Sequence, residues 1–268
     1  MKANPRTIFD IFDGKRRYIV PLFQRQYVWS RIGQWEPLWE DIRRKIEDRI
    51  EKKDQPPHFL GALVLDQIRV YGNEIPSHLI IDGQQRLTTF QIFLAAFRDV
   101  CQQYESVYAQ EINRYILNTG VMAKEDEECF KVWPTHLDQP FFKNLMKAYS
   151  SEKINELYPL QYFRKKPIDR PHMVETYSFF HNCISNYLEE IPHLDIEQKI
   201  EILFQVLKMD LEVVTIELEG KDDPQYTAPH VDKGLAKRVK CGWREGDNQP
   251  CSDASLMQRP SRQSSLRA

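Results

Sequence analysis

Four polar residues and a glycine follow an apolar run at a spacing that suits phosphate chemistry. Residues 79–81 predict a short buried strand, and Asp82-Gly83-Gln84-Gln85-Arg86 comes directly after it, ahead of a long amphipathic stretch. A helix that begins after a strand offers unpaired backbone N–H groups and the positive end of its dipole, which favour phosphate. Gly83 allows a ligand close to the backbone, and Arg86 supplies a planar fork for phosphate oxygens. The alternative is a tight turn in which Asp82 caps the helix and Arg86 pairs with a surface carboxylate.

A second polar group lies among aromatic residues near the N-terminus. Gln24 and Arg25 are flanked by Phe23, Tyr27 and Trp29. An arginine in this setting can stack on a base, hold a phosphate, or cover an apolar patch with its stem, and the sequence leaves the three open. A predicted helix and strand pair separate the two polar groups, which allows both to line one cleft.

Other common sites are missing from the sequence. It contains no GxxxxGK[ST] phosphate loop and no GxGxxG, HExxH or GxSxG motif. The seven histidines show no metal-ligand spacing, and the five cysteines show no CxxC pair. A nuclease centre built on a metal cluster is therefore a poor interpretation of this chain, and reduced thiols are the default expectation.

Composition narrows the class of protein. The 268 residues are 41% hydrophobic and 12% aromatic, as in ordinary globular proteins, and the formal net charge of −2 argues against coating nucleic acid by charge alone. A local basic groove stays compatible with that total. No apolar run approaches about 18 residues, and the start of the chain lacks a signal pattern. We expect a cytoplasmic protein with no membrane partner.

Hydrophobic periodicity predicts an α+β fold. Ile8, Ile11 and Phe12 suit one helical turn, a strand begins near Tyr18, and Ser30 suits the N-cap of a helix that reaches residue 50. The remaining predicted helices cover residues 87–104, 106–118, 139–149, 172–190 and 195–208. The remaining predicted strands cover residues 59–65, 68–71, 79–81 and 211–218.

The composition changes near the C-terminus. Residues 226–268 contain only six Val, Ile, Leu or Met, and eight Lys or Arg against four Asp or Glu. Such a segment buries too little apolar area to offset its ordering entropy, so we expect it to be disordered.

Three motifs together resemble one known family. They are Val20-Pro21-Leu22-Phe23-Gln24-Arg25-Gln26-Tyr27-Val28-Trp29, then His58-Phe59-Leu60-Gly61-Ala62-Leu63-Val64-Leu65, then Ile81-Asp82-Gly83-Gln84-Gln85-Arg86-Leu87-Thr88-Thr89. They closely resemble the N-terminal domain of the GmrSD-type, modification-dependent restriction family. Val132-Trp133-Pro134-Thr135 and Asp222-Asp223-Pro224-Gln225 also look like family landmarks, so the resemblance covers roughly residues 5–225.

The resemblance implies a fold and a division of the chain. It implies a small mixed sheet with helices, similar to ParB and sulfiredoxin, as a nucleotide-binding core over residues 5–105. A mainly helical extension would cover 106–225, including the late strand 211–218, and 226–268 would be a disordered tail foreign to the family. Relatives continue into further helices after the Asp-Asp-Pro-Gln element, whereas Tyr226-Thr227-Ala228-Pro229-His230 does not, so we expect an interruption of the frame or gene after Gln225.

The resemblance also implies site roles. The Asp82–Arg86 motif would be the nucleotide-hydrolysis element, acting on an NTP with Mg²⁺ or another divalent cation. The roles within it are our own hypothesis: either Arg86 alone or Arg86 with Arg25 from the facing segment would neutralise phosphate charge. Gln84 or Gln85 would orient the attacking water, and Asp82 would bind the metal or hold an arginine. The nucleotide-binding residues would be Gln24, Arg25, Gly83 and Thr88. Contacts to DNA or to a base would come from Phe23, Tyr27 and Trp29.

The implied function is NTP hydrolysis coupled to recognition of modified or foreign DNA in a restriction system. The nuclease centre would belong to another domain or subunit, so cleavage of DNA by this chain alone is not expected. Two alternatives stay open: a module that senses DNA or nucleotide without catalysis, and an inactive remnant of a truncated gene.

Overall fold

A mixed sheet lies at the centre of the fold. The computed structural model describes residues 2–69, 72, 74–120, 127–164, 166–190 and 192–218. Their strands are β1 (Lys2–Thr7), β2 (Arg17–Ile19), β3 (His58–Ile68), β4 (Ser77–Asp82), β5 (Val132–Trp133), β6 (Gln161–Phe163), β7 (Lys166–Ile168) and β8 (Leu211–Leu218). Six of them form one sheet in the order β1-β8-β3-β4-β2-β5, and β6 and β7 form a separate two-stranded sheet.

Strand direction brings two loops to the same edge of the sheet. β2 runs parallel to β4 and to β5, so the segment after Ile19 and the turn after Asp82 leave from neighbouring carboxyl ends. β3 runs antiparallel to β4, and Val64 pairs with Asp82. The first residues of β3 therefore lie beside the same turn. Three segments that are distant in sequence meet at this edge.

Eight α-helices surround the sheet in the described residues. They are α1 (Ile8–Phe12), α2 (Glu36–Ile50), α3 (Gln84–Gln103), α4 (Tyr108–Ile116), α5 (Gln139–Ala148), α6 (Ser151–Leu157), α7 (His172–Glu190) and α8 (Ile196–Gln205). A π-helical turn at Arg31–Trp35 leads into α2, and another at Val206–Asp210 leads into β8.

Helix α3 is the central element of the core. It is buried on nearly every face, as expected of a helix with few polar positions outside its ends, and it packs against α4 and α7. A buried ion pair joins Arg98 Nε to Asp99 Oδ1 at 2.7 Å, and the Tyr177 hydroxyl of α7 donates to Asp99 Oδ2 at 2.6 Å. Burial and this bonding fix the helix, and hence the position of its first turn.

The α+β class is confirmed, and most predicted elements are present. The helix predicted at 172–190 and the strand predicted at 211–218 match α7 and β8. Ser30 makes no side-chain cap, because the chain enters α2 through the π-helical turn. A separate strand was predicted at 68–71. Its first residue, Ile68, is instead the last residue of β3, and the pairing of β3 with β4 is irregular beside Val64. β1 was missed because it is a polar edge strand.

The late strand joins the two ends of the described chain. β8 lies between β1 and β3, so the first residues and the last described residues share one sheet. Arg49 of α2 also binds Asp210 just before β8 through both its Nε and its Nη2. The division of the chain expected at residue 105 stays a prediction. The expected disordered tail, 226–268, lies outside the described residues, and similarity to ParB and sulfiredoxin stays a prediction.

None of the helices described above combines the length and apolar character that crossing a bilayer requires.

Candidate functional site

The turn between β4 and α3 depends on a glycine. Gly83 has φ 92° and ψ 13°, in the left-handed region, and its N–H donates to Asp82 Oδ1 at 2.8 Å. A Cβ at this position would lie 2.4 Å from Leu63 Cδ2. Only glycine fits without displacing the Leu63 side chain. The turn then opens directly into α3 at Gln84, with the exposed Asp82 carboxylate beside the helix start.

Gln84 joins this turn to the loop after β2. Its Nε2 donates to Gln24 Oε1 and to the carbonyl of Arg25, each at 3.1 Å. Gln24 Nε2 in turn donates to the carbonyl of Ile81 at 3.1 Å. The two predicted polar groups are therefore in direct contact. Gln84 is 8% exposed, so these bonds lie at the base of the site.

Gln85 is bound to the same loop through both ends of its amide. Its Oε1 accepts from the Val28 N–H at 2.9 Å, and its Nε2 donates to the carbonyl of Gln26 at 2.8 Å. This pairing imitates a strand and holds the 24–28 segment against the first turn of α3. Both polar atoms of the side chain form hydrogen bonds to the loop, so the geometry of Gln85 suits it to hold the loop in place.

Arg86 lies against the backbone of β3. Its Nη1 donates to the Ala62 carbonyl at 2.6 Å. Gly61, with φ 111°, faces the guanidinium: a Cβ there would lie 2.7 Å from Nη2 and 2.8 Å from Cζ of Arg86. The pairing of β3 with β8 also shifts between Phe59 and Ala62. The glycine inside β3 therefore permits a close approach, and the group that approaches is Arg86.

Tyr27 is a buried hub below the site. It is 5% exposed, and its hydroxyl lies 2.7 Å from Thr89 Oγ1, accepts from Trp35 Nε1 at 3.1 Å, and accepts from Thr176 Oγ1 at 3.3 Å. Burial raises the pKa of Tyr27 to about 12, so the phenol stays neutral. The ring has no face for a base in this position. We therefore leave Tyr27 out of any base or DNA contact and assign it to support of the loop.

A second support comes from the segment after β5. The Tyr27 N–H donates to Asp138 Oδ2 at 2.9 Å, and Thr135 Oγ1 donates to the same oxygen at 2.6 Å. From the sequence, residues 132–135 are only a family landmark. The spacing of Thr135 and Asp138, typical of a capping motif, was the available signal.

An apolar groove borders the loop. It has a volume of about 490 Å³ and is lined by Val20, Pro21, Phe23, Trp133 and Pro134, among others. Phe23 is 82% exposed and Leu22 91%, which is unusual for adjacent large apolar side chains. A planar apolar ligand fits such a surface.

The other predicted site residues are placed as follows. Arg25 is exposed on the loop. Trp29 is partly buried and packs against the core, and Thr88 is 3% exposed inside the first turn of α3. The structure thus gathers Gln24, Arg25 and the Asp82–Arg86 motif at one place, with Phe23 at its border.

In the described residues, no three His, Cys, Asp or Glu side chains lie close enough together to bind a metal ion by themselves. Mg²⁺ typically needs only one or two carboxylates when substrate phosphates supply further ligands. Asp82, exposed at the helix start, fits that mode of binding.

Comparison with known proteins agrees with this geometry. No curated protein sequence gives a significant match to the chain. The profile of the family described as "GmrSD restriction endonuclease, N-terminal domain" matches residues 8–228, which includes every segment of the site. The match covers most of the chain, and the chain therefore belongs to the GmrSD restriction endonuclease N-terminal domain family.

Proposed function

We propose that this domain binds and hydrolyses a nucleoside triphosphate and couples turnover to recognition of modified or foreign DNA. The observation that carries the proposal is the position of Arg86. Its guanidinium is held flat on β3 by Gly61 and the Ala62 carbonyl, at the start of α3 and beside the loop that contains Arg25. A cation fixed next to a helix N-terminus is a favourable setting for phosphate groups.

The geometry supports separate roles for the two glutamines. Gln84 uses only its Nε2 in bonds to Gln24 and Arg25, which leaves Oε1 as an acceptor for the attacking water. Gln85 uses both ends of its amide on the loop, so we assign it to positioning. Arg86 and Arg25 would neutralise charge that develops on the transferred phosphoryl group.

The metal would be bound by Asp82 together with the phosphates. Mg²⁺ would supply charge neutralisation on the triphosphate. Gly83 allows the phosphates to approach the backbone, and Thr88 supports the first turn of α3 from inside. The apolar groove at Phe23 would take the nucleobase. Cleavage of DNA would come from a nuclease domain or subunit that acts beside this domain.

Substitution of Arg86 tests the proposal. Phosphate release from each of the four NTPs, with Mg²⁺ and with or without DNA, would be measured for the parent chain, Arg86→Ala and Arg86→Lys. We expect Arg86→Ala to lower turnover by about 10²-fold or more, as removal of a charge-stabilising donor does elsewhere. Arg86→Lys should recover part of that loss, because it keeps the charge without the fork.

Two controls make the result interpretable. Arg31→Ala removes an exposed arginine that pairs with Glu36 away from the turn, and it should leave turnover unchanged. Thermal unfolding shows whether each variant folds. A folded Arg86→Ala protein with turnover within a few-fold of the parent refutes the phosphate assignment. Nucleotide-dependent stabilisation without turnover in the parent would instead support the non-catalytic sensing module.

A further inference from the structure

The β6–β7 hairpin, residues 161–168, stands apart from the main sheet. Its strands pair antiparallel, with Tyr162 opposite Pro167, and they join no other strand in the described residues. An isolated two-stranded ribbon is marginally stable in water, so this one depends on what holds its base.

The base of the hairpin is firmly attached. Arg170, just after β7, donates from Nε to Glu175 at 2.6 Å, from Nη1 to Asn155 at 3.1 Å and from Nη2 to Ser178 at 3.1 Å. These partners belong to α6 and α7, which are packed into the body of the protein. The hairpin is therefore presented from a fixed support.

Both faces of the ribbon expose an aromatic ring. Successive side chains of a strand point to opposite faces, so Tyr162 and Phe163 lie on different sides. Their exposed fractions are 65% and 63%, and Leu160 and Ile168 nearby are 56% and 46% exposed. Single exposed apolar residues need no explanation, but four of them on one short segment indicate an interaction surface.

The charge of the hairpin indicates which partner it suits. Residues 158–168 contain Arg164, Lys165 and Lys166 and no acidic residue, in a chain whose formal net charge is −2. Arg164, at the turn, lies 5.2 Å from the Phe163 ring centroid, and no carboxylate of the described residues pairs with it. Aromatic rings next to cations bind bases and phosphates, whereas protein interfaces are depleted in lysine.

We propose that the hairpin binds single-stranded or locally opened DNA, with bases stacked on Tyr162 and Phe163 and phosphates contacted by Arg164. This inference rests on the proposed function, because it names where that function contacts DNA. It places the contact on an element separate from the nucleotide turn. DNA binding and basal NTP turnover are then separable by mutation.

The test uses the full chain and fluorescence anisotropy with a labelled single-stranded oligonucleotide, its duplex, and a duplex with an unpaired bubble. We expect the single strand and the bubble to bind more tightly than the duplex. The double variant Tyr162→Ala/Phe163→Ala should weaken binding to the single strand by about tenfold or more. Arg164→Gln should lower the slope of log affinity against log salt by about 0.7.

Matched controls separate the general claim that the chain binds DNA from the specific claim that the hairpin is the binding element. Arg114→Gln removes an exposed arginine on α4 that is 76% exposed, and it should not change DNA affinity. Basal NTP turnover should be unchanged in every hairpin variant. A parent chain that binds none of the three DNAs overturns the DNA part of the proposed function and this inference with it. A parent that binds DNA with the same affinity as the double variant overturns only the hairpin assignment.

Discussion

Replacing Gly61 by alanine should displace Arg86, although the two residues are far apart in sequence. The added Cβ would lie 2.7 Å from Nη2 and 2.8 Å from Cζ of Arg86. Carbon and nitrogen atoms pack at roughly 3.5–4.0 Å, so the guanidinium must move by about 1 Å. The bond from Arg86 Nη1 to the Ala62 carbonyl, now 2.6 Å, would then be lost.

The cost has two parts. A non-glycine residue in the sparsely populated backbone region of Gly61, at φ 111°, costs about 1–3 kcal/mol. Loss of a hydrogen bond from a charged donor costs a further ~1.5–3 kcal/mol. Together we expect a decrease of about 2.5–6 kcal/mol in the free energy of unfolding. Since a 1 Å misplacement of a catalytic group can cost about 10²-fold in rate, NTP turnover should fall by a similar factor.

Urea unfolding and phosphate release measure the two effects. Gly72→Ala is the matched control, because Gly72 also has positive φ, 67°, but no atom lies within 4 Å of its added Cβ. It should lose only about 1 kcal/mol. In an Arg86→Ala background, Gly61→Ala should lose only the backbone part, since the steric partner has gone.

Either of two results would refute this reasoning. One is a Gly61→Ala protein no less stable than the Gly72→Ala control. The other is the same cost for Gly61→Ala with and without the Arg86 side chain, which would mean that the two residues are not coupled.

Three further predictions concern the support of the site, the groove and a buried lysine. Gln85→Glu keeps the acceptor for the Val28 N–H but loses the donor to the Gln26 carbonyl. Urea unfolding should therefore show a free energy of unfolding lower by about 1–3 kcal/mol. Unchanged stability with lost turnover would mean that Gln85 takes part in the chemistry. Phe23→Ala should raise KM for NTP and leave hydrolysis of inorganic triphosphate unchanged. Equal effects on the NTP and on inorganic triphosphate would exclude a base contact at the groove. Burial lowers the pKa of Lys131 from 10.5 to about 8. Between these two pH values the unfolded chain binds more protons than the folded chain, so the free energy of unfolding rises with pH. From pH 7 to 9 the parent should gain about 1 kcal/mol over Lys131→Met, and a constant difference would contradict the shifted pKa.

Local signals in the sequence predicted much of the fold. The predicted helix at 139–149 appears as Gln139–Ala148, because apolar residues at helical spacing and a proline at the helix start act within a few residues of each other. The strand, glycine turn and helix around Gly83 were predicted for the same reason. The paired polar groups were expected to share a cleft, and contacts between Gln24 and Gln84 now join them.

The errors arose where contacts are distant in sequence. Tyr27 reads as an exposed aromatic beside Arg25, but Thr89, Trp35 and Thr176 bury its hydroxyl. Nothing near position 27 encodes those partners. The π-helical turn at Arg31–Trp35 also has no local signature that separates it from the α-helix that follows.

The sequence by itself determined most of the elements, the residue types and glycine turn at residues 82–86, and the family, since each depends on residue types within a short window. Tertiary structure alone decided which amide bonds to the loop through its nitrogen and which bonds to it through both ends, because Gln84 and Gln85 are neighbours that differ only in partners about sixty residues away. It also decided that Gly61 makes room for the Arg86 guanidinium, and that β8 lies between β1 and β3. Those outcomes follow from strand pairing and packing across the whole chain, which no local pattern specifies.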